Sequence, residues 1–204
     1  ARLGLLLPAM VGVLLEPADH RFDDCAQVSL CDLHQGAEQA AHAYELVTRS
    51  PVPLREVGMT EFAVFRGGVA QRDQVAIIVG SPDLSGVVPV RVHSSCLTGD
   101  LFGSLRCDCG EQLRRGVAAI SAQGGGVLLY LSQEGRGIGL ANKLRAYGLQ
   151  DEGLDTIDAD QVIGFSKDER NFRVAHEMLD QLGVHKVLLL TNNPSKVEAL
   201  QHAG

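Results

Sequence analysis

Three short runs follow one another with no helical period between them: Glu61–Phe65, Val75–Val79 and Val87–Val92. Two-residue alternation and β-branched side chains read as strands. The chain then changes character. Residues Glu111–Gln123 carry Leu113, Val117 and Ile120 at helical spacing and stop at three glycines, Gly124–Gly126. Gly126–Leu131 reads as a buried strand, Leu140–Tyr147 as a helix, Asn171–Leu182 as a helix ended by Gly183, and Lys186–Leu190 as a strand. Pro194 opens a last short helix, at a position where its missing N–H leaves no partner wanting. Strands first, then strand–helix alternation, predict an α/β (α+β) fold around a mixed sheet.

With 204 residues, 45% of them hydrophobic and 21% charged, the chain suits one domain, or one domain plus a fragment. That is enough to bury a core without disulfides. Its 18 basic and 25 acidic residues leave a net charge of −7. This argues against a nucleic-acid coat protein or a binder of anionic membranes. A small phosphorylated substrate needs only a local cationic pocket. Trp is absent and aromatics are 4%, so platforms for stacking single strands are few. The apolar run Leu3–Leu15, broken by Pro8, falls short of the roughly 20 residues of a membrane span. No small-x-small pattern follows it, so a signal peptide is the weaker reading and a buried strand or helix piece the stronger. The chain opens at Ala1 without Met, which reads as a trimmed N-terminus. Pro51 and Pro53 predict a junction between a first part, 1–50, and a second, 51–204.

Five cysteines make an odd count, and Cys96, Cys107 and Cys109 crowd together. That pattern points to metal binding or catalysis in a reducing compartment, hence a cytoplasmic protein, and not to a disulfide framework. Three thiolates suit Zn²⁺. Ligands at i and i+2 can face one ion if the turn between them is tight, and Gly110 permits that. The plainer alternative is three buried apolar thiols; Asp100, Arg106 and Asp108 make the surroundings too polar for it. His93 is the one close histidine. If it does not ligate, the fourth position holds water and the site is catalytic. Thiolate-bound zinc activates water against nucleobase rings in the deaminases. Gln133–Gly139 has glycines at alternate positions between a strand and a helix. Such a turn can bring backbone N–H groups and Arg136 onto a phosphate or a purine edge, or be a plain tight turn. Cys25, Cys31, His20 and His34 fit no strong metal template.

Arg91-Val-His-Ser-Ser-Cys-Leu-Thr-Gly-Asp100 and Ser-Leu-Arg-Cys-Asp-Cys-Gly110 resemble the zinc segment of the GTP cyclohydrolase II family. So do Gln133–Gly139, Asn142–Tyr147, Leu149–Asp151, Asp155–Thr156, Asp168–Arg170, and Leu190–Pro194 with Lys196. The resemblance covers about residues 52–204, with many motifs in one order. It implies opening of the GTP imidazole ring, release of formate from C8 and of pyrophosphate, and a diaminopyrimidine ribosyl phosphate as product. It implies one Zn²⁺ per chain on Cys96, Cys107 and Cys109, Mg²⁺ with the triphosphate, and a homodimer. Tyr147 matches the tyrosine that assists hydrolysis of the formyl intermediate. Arg170 matches the arginine proposed to attack the α-phosphate, and Asp168 its acid/base partner. Substrate contacts fall on Arg91, Val92, His93, Ser94, Ser95, Gln112, Glu134, Gly135, Arg136, Thr156, Thr191 and Lys196. Glu134 could accept two hydrogen bonds from a guanine edge. On their own, Arg170 and Asp168 would read as a solvated charge pair, Tyr147 as a half-buried aromatic and Lys196 as a surface lysine.

The family usually reads Val-His-Ser-Glu-Cys, and Ser95 stands here in place of that glutamate. Losing a carboxylate beside the metal segment predicts altered rate or substrate preference with zinc retained. Gln74–Ile77 also departs from the family's His-Val-Ala-Leu, which suggests a divergent branch. The chain ends at Gly204, earlier than the family usually does. Residues 1–11 and 26–32 resemble, faintly, a fragment of 3,4-dihydroxy-2-butanone 4-phosphate synthase without its acidic metal motif. That predicts a non-catalytic remnant packed against the body or a neighbouring subunit. Two alternatives are an enzyme that stops at the formamidopyrimidine nucleotide and a non-catalytic zinc and nucleotide binder.

Overall fold

The computed structural model describes residues 13–16, 20–165, 168 and 170–201. Helix α1 (Leu30–His42) is capped by the Ser29 hydroxyl on the Asp32 N–H and precedes the strands. Strands β1 (Tyr44–Leu54), β2 (Gly58–Gly67), β3 (Arg72–Gly80) and β4 (Val87–Ser94) follow. After them come α2 (Cys109–Ala122), β5 (Gly125–Leu131), α3 (Leu140–Asp151), α4 (Thr156–Val162), α5 (Arg173–Gln181), β6 (Lys186–Leu189) and α6 (Pro194–Gln201). The six strands form one sheet in the order β1-β2-β3-β5-β4-β6. The β1–β2, β2–β3 and β3–β5 pairs are antiparallel, while β4 runs parallel to both β5 and β6. The α/β class and the mixed sheet expected from the sequence are present.

Strand β5 shows why the sheet is covered on both sides. Val127, Leu129 and Leu131 point into the main core with Phe65, Val90 and Val92, against Val174, Ala175, Met178 and Leu179 of α5. Leu128 points the other way, with Val79 and Ile120 of α2. Burial on both faces is what a near-continuous apolar run at a parallel pairing requires.

Pro51 and Pro53 lie inside β1, opposite Glu61 and Met59. An edge strand tolerates prolines because only one side of it must supply ladder donors. Helix α1 packs on α5 and β2, and Gln181 of α5 ties down β1 through the Tyr44 carbonyl (2.7 Å) and the Leu46 N–H (3.0 Å). Of the apolar run 3–15, positions 3–12 lie outside the described residues, and Val13–Leu15 are exposed and irregular, contrary to the expected buried element. Their side chains find no apolar face to pack on. No helix among the described residues is long and apolar enough to cross a membrane.

Candidate active site

The parallel pair β4–β5 opens the site. Ser94 and Leu131 are register partners, so both strands end on the same side of the sheet. Ligand sites in open α/β sheets gather at such carboxyl ends. The Ser95 and Gln133 N–H groups both donate to the Leu131 carbonyl at 2.8 Å, which pins the start of the two exits to one point. The β4 exit runs through Cys96 into a π-helical turn, Leu97–Leu101, and the β5 exit into a tight turn, Glu134–Gly137.

The three clustered cysteines converge, with their sulfurs within 4.8 Å of one another and Cys96 Sγ 3.6 Å from Cys107 Sγ. Cys109 opens α2, and Gly99 of the π turn forms the wall behind the sulfurs. A Cβ on Gly99 would lie 2.8 Å from Cys107 Sγ and 3.1 Å from Cys96 Sγ. Gly110 contributes by close approach rather than by a special turn: a Cβ there would lie 2.2 Å from the Gly99 carbonyl oxygen. Burial, followed by the neighbouring Cys96 and Cys107, holds the Cys109 thiol well above its ordinary range. Burial also opposes ionisation of Cys96, but hydrogen bonds from Lys143, Thr98 and the Gly99 N–H outweigh it and lower that thiol. Three sulfurs this close ionise together only around a cation, so the donor set fits a thiophilic metal ion.

Lys143, on the first turn of α3, reaches this cluster. It is 9% exposed, and its ammonium donates to Cys96 Sγ (2.9 Å), Thr98 Oγ1 (3.0 Å) and Glu134 Oε1 (2.8 Å). Burial would lower it, yet the bonds to Cys96 and Glu134 prevail and hold it above the usual lysine range. A second buried network stands behind. Asp100 accepts from the Cys96 N–H (2.9 Å), the Tyr130 hydroxyl (2.8 Å) and His93 Nε2 (3.1 Å). Burial pushes His93 down despite Asp100, and burial with Asp100 pushes Tyr130 up, so the imidazole is neutral near pH 7.

A cavity of about 270 Å³ faces the cysteines. Its lining brings together Ser94, Ser95, Glu134, Gly135, Arg136, Tyr147 and Arg170 from the expected set, with Arg106, Gln133 and Lys143 beside them. Ser94 Oγ and Gln133 Oε1, both buried, have no protein partner. The Arg106 guanidinium lies 4.9 Å over the Tyr147 ring, donates to the Tyr147 carbonyl at 3.2 Å and pairs with Asp151. Arg170 Nε reaches Asp168 Oδ1 at 2.8 Å, and Asp168 stays below its ordinary range because these bonds overcome its burial. Arg91, Gln112 and Thr191 border a neighbouring depression, where Arg91 donates to Gln112 (3.0 Å) and to the Leu190 carbonyl (3.1 Å). Lys196 donates to the Val92 carbonyl at 2.8 Å. Burial, with Arg170 and Arg91 nearby, pulls it down to about 8. The Thr156 side chain lies outside the described residues.

Four expectations change. The Val92 side chain is in the core, and only its backbone faces Lys196. The His93 ring is 4% exposed and turned to Asp100; the described metal-ligand cluster contains the three cysteines without it. Glu134 already accepts from Lys143, the Gly135 N–H (3.1 Å) and the Leu97 N–H (2.6 Å). A carboxylate has about four acceptor sites, so two further bonds to a guanine edge do not fit this arrangement. The Gly135, Gly137, Ile138 and Gly139 N–H groups all donate within the turn, so these four are already used and do not point at a phosphate or purine edge. Sequence reasoning missed the roles of Asp100, Tyr130 and Lys143. Lys143 stands four residues before Tyr147, on the same helical face, a spacing that could have drawn it in.

A family model described as GTP cyclohydrolase II matches residues 45–204. The GTP cyclohydrolase-2 of Xylella fastidiosa (strain 9a5c) is 63% identical over 205 residues, covering all of this chain and 52% of that protein. That of Proteus mirabilis (strain HI4320) is 52% identical over 156 residues, 76% of each chain. A crystal structure of RibBX, a two-domain 3,4-dihydroxy-2-butanone 4-phosphate synthase from A. baumannii, overlaps with TM-score 0.41 at 20% identity, over 84% of this chain and 46% of that one. The chain spans about half the length of the Xylella relatives that it matches from end to end. Because the family match runs from β1 through α6 and takes in every residue of the cysteine-lined cavity, the chain belongs to the GTP cyclohydrolase II family.

Proposed function

We propose that this chain catalyses the zinc-dependent hydrolytic opening of the GTP imidazole ring, with loss of formate and pyrophosphate. The product is 2,5-diamino-6-(5-phosphoribosylamino)pyrimidin-4-one, for a riboflavin-type or specialised pathway. The observation that carries the reading is the three-sulfur cluster facing a cavity that also holds Tyr147 and Arg170. Cys96, Cys107 and Cys109 would hold one zinc ion, which supplies Lewis acidity and water activation when bound. Tyr147, which lines the same cavity as Arg170, offers a hydroxyl beside the reacting C8. Its pKa is raised chiefly by burial, so it stays a proton donor near neutral pH. Arg170, oriented by Asp168, faces the α-phosphate. Arg136 and Lys196 balance the phosphate charge together with Mg²⁺. Arg91, Gln112, Thr156 and Thr191 complete the substrate contacts, and Ser94 and Ser95 border the ring.

Residues 51–204 are the catalytic part in this reading, in a cytoplasmic homodimer, and 1–50 a synthase-like remnant without catalysis. The test is incubation of the zinc-loaded protein with GTP and Mg²⁺, with formate and pyrophosphate counted against product. Equal yields of all three are expected. Pyrophosphate without formate would shift the reading to an enzyme that stops at the formamidopyrimidine nucleotide, and GTP binding without pyrophosphate would end it.

A further inference from the structure

Lys143 has no part in the roles assigned above, yet it stands where the metal loop, the glycine turn and Tyr147 meet. An ammonium has three N–H donors. All three are used, on Cys96 Sγ, Thr98 Oγ1 and Glu134 Oε1. A lysine so saturated and buried does not reach out to a substrate. Its partners instead belong to two different stretches of chain: Cys96 and Thr98 where β4 runs into the π turn, and Glu134 at the exit of β5. The glycine turn is shaped around its stem: Gly135 has φ 61°, and a Cβ there would lie 3.0 Å from Lys143 Cβ. Glu134 then passes the connection on, because its second oxygen holds the Leu97 N–H next to Cys96 at 2.6 Å. The ring of Tyr147 lies 5.8 Å from the ammonium, within cation–π range.

We propose that Lys143 is a positioning residue whose ammonium ties the Cys96 sulfur to the Glu134 carboxylate, so that the metal-ligand loop and the Gln133–Gly139 turn assemble as one unit. The proposal rests on the reading of the cysteines as a metal site. Charge explains why a lysine stands here: three thiolates and a carboxylate around one divalent ion leave an excess of negative charge in a largely enclosed place, and one fixed cation offsets part of it. A hydrogen bond to a ligand sulfur also draws electron density from it, so the ammonium tunes the sulfur as well as placing it.

Lys143→Met keeps the length of the stem and removes the ammonium. Lys143→Arg keeps the charge. Glu134→Gln weakens the far arm without touching a sulfur. Zinc affinity is read by competition with a chromogenic chelator, and the Co²⁺-substituted protein by its sulfur-to-cobalt charge-transfer band. The expected loss in zinc affinity for K143M is about 10- to 100-fold, the usual effect of removing an outer partner of a metal ligand. Its cobalt band moves to lower energy, because the sulfur is a better donor without the N–H bond. K143R recovers part of both changes. E134Q moves the band in the same direction by a smaller amount, and the double variant K143M/E134Q shows less than the sum of the two.

A cobalt band and zinc affinity in K143M indistinguishable from wild type would overturn the proposal. An unmoved band in E134Q would also overturn it, because Lys143 would then act on Cys96 alone. Should K143M fail to fold, E134Q and K143R carry the test. Absence of any sulfur-to-cobalt band in the wild-type protein would instead remove the metal-site reading itself, an outcome distinct from the failure of Lys143.

Discussion

Gly99→Ala adds one methyl group to the wall of the sulfur cluster. That carbon would lie 2.8 Å from Cys107 Sγ, 3.1 Å from Cys96 Sγ and 3.1 Å from Cys109 Cβ. Non-bonded heavy atoms prefer about 3.5–4.0 Å, so each contact is short by several tenths of an ångström. The backbone of Gly99 has little room to retreat. Its carbonyl is already against Gly110 and its N–H is bound to Cys96 Sγ at 3.3 Å. Relief comes most cheaply from rotation of the Cys107 side chain, which takes its sulfur out of the cluster. Inserting a methylene into a filled site costs about 1–3 kcal/mol. Expressed as a loss in metal binding, that amounts to about 5- to 150-fold in affinity. The measurement is zinc competition against a chelator, beside thermal melting of the metal-free protein. Gly36→Ala in α1 is the control, because a Cβ there meets nothing within 4 Å and should raise stability by up to about 1 kcal/mol. A G99A protein with wild-type zinc affinity would refute the reasoning, since the cluster would then have slack that the distances deny.

Lys196 should tie both stability and phosphate binding to pH. Its folded pKa near 8 lies below the unfolded value near 10.5, so this group adds stability above the unfolded value, and that stability is lost as pH falls through about 8. The difference in unfolding free energy between wild type and Lys196→Met should therefore change by roughly 2 kcal/mol between pH 7 and pH 10, and a flat difference would contradict the burial of the ammonium. Inorganic triphosphate, which favours the charged form, should bind more weakly above pH 8 in wild type and with a flatter profile in K196M. Asp100→Asn should lower the melting temperature by about 4–10 °C, because a buried carboxylate that serves three donors is worth roughly 2–3 kcal/mol; an unchanged melt would show that network to be idle. Ser95→Glu should change turnover or substrate preference while zinc stoichiometry stays at one per chain; identical kinetics would dismiss any influence of that position.

Much of the architecture was legible because it rests on local signals. The β-branched runs gave β2, β3 and β4, the Leu113–Val117–Ile120 spacing gave α2, and Pro194 gave the start of α6. Strand β1 was not legible, because prolines are a breaking signal unless the strand lies at a sheet edge, and edge position is a property of the whole sheet. Helix α3 was read as ending at Tyr147 and runs on to Asp151, where Arg106 pairs with it from a segment distant in sequence.

The site divides along the same line. The sequence by itself determined which groups are present: three thiols at a spacing that can converge, a glycine-rich turn, Tyr147, and the local Asp168–Arg170 pair. Which atoms remain free was decided only by the tertiary structure, because hydrogen-bond capacity is filled by whatever part of the chain arrives from a distance. Asp100 claims His93, Lys143 and the Leu97 N–H claim Glu134, and the glycine turn consumes its own N–H groups. A residue type announces what chemistry is possible, and the packing around it sets how much of that chemistry is left to meet a ligand.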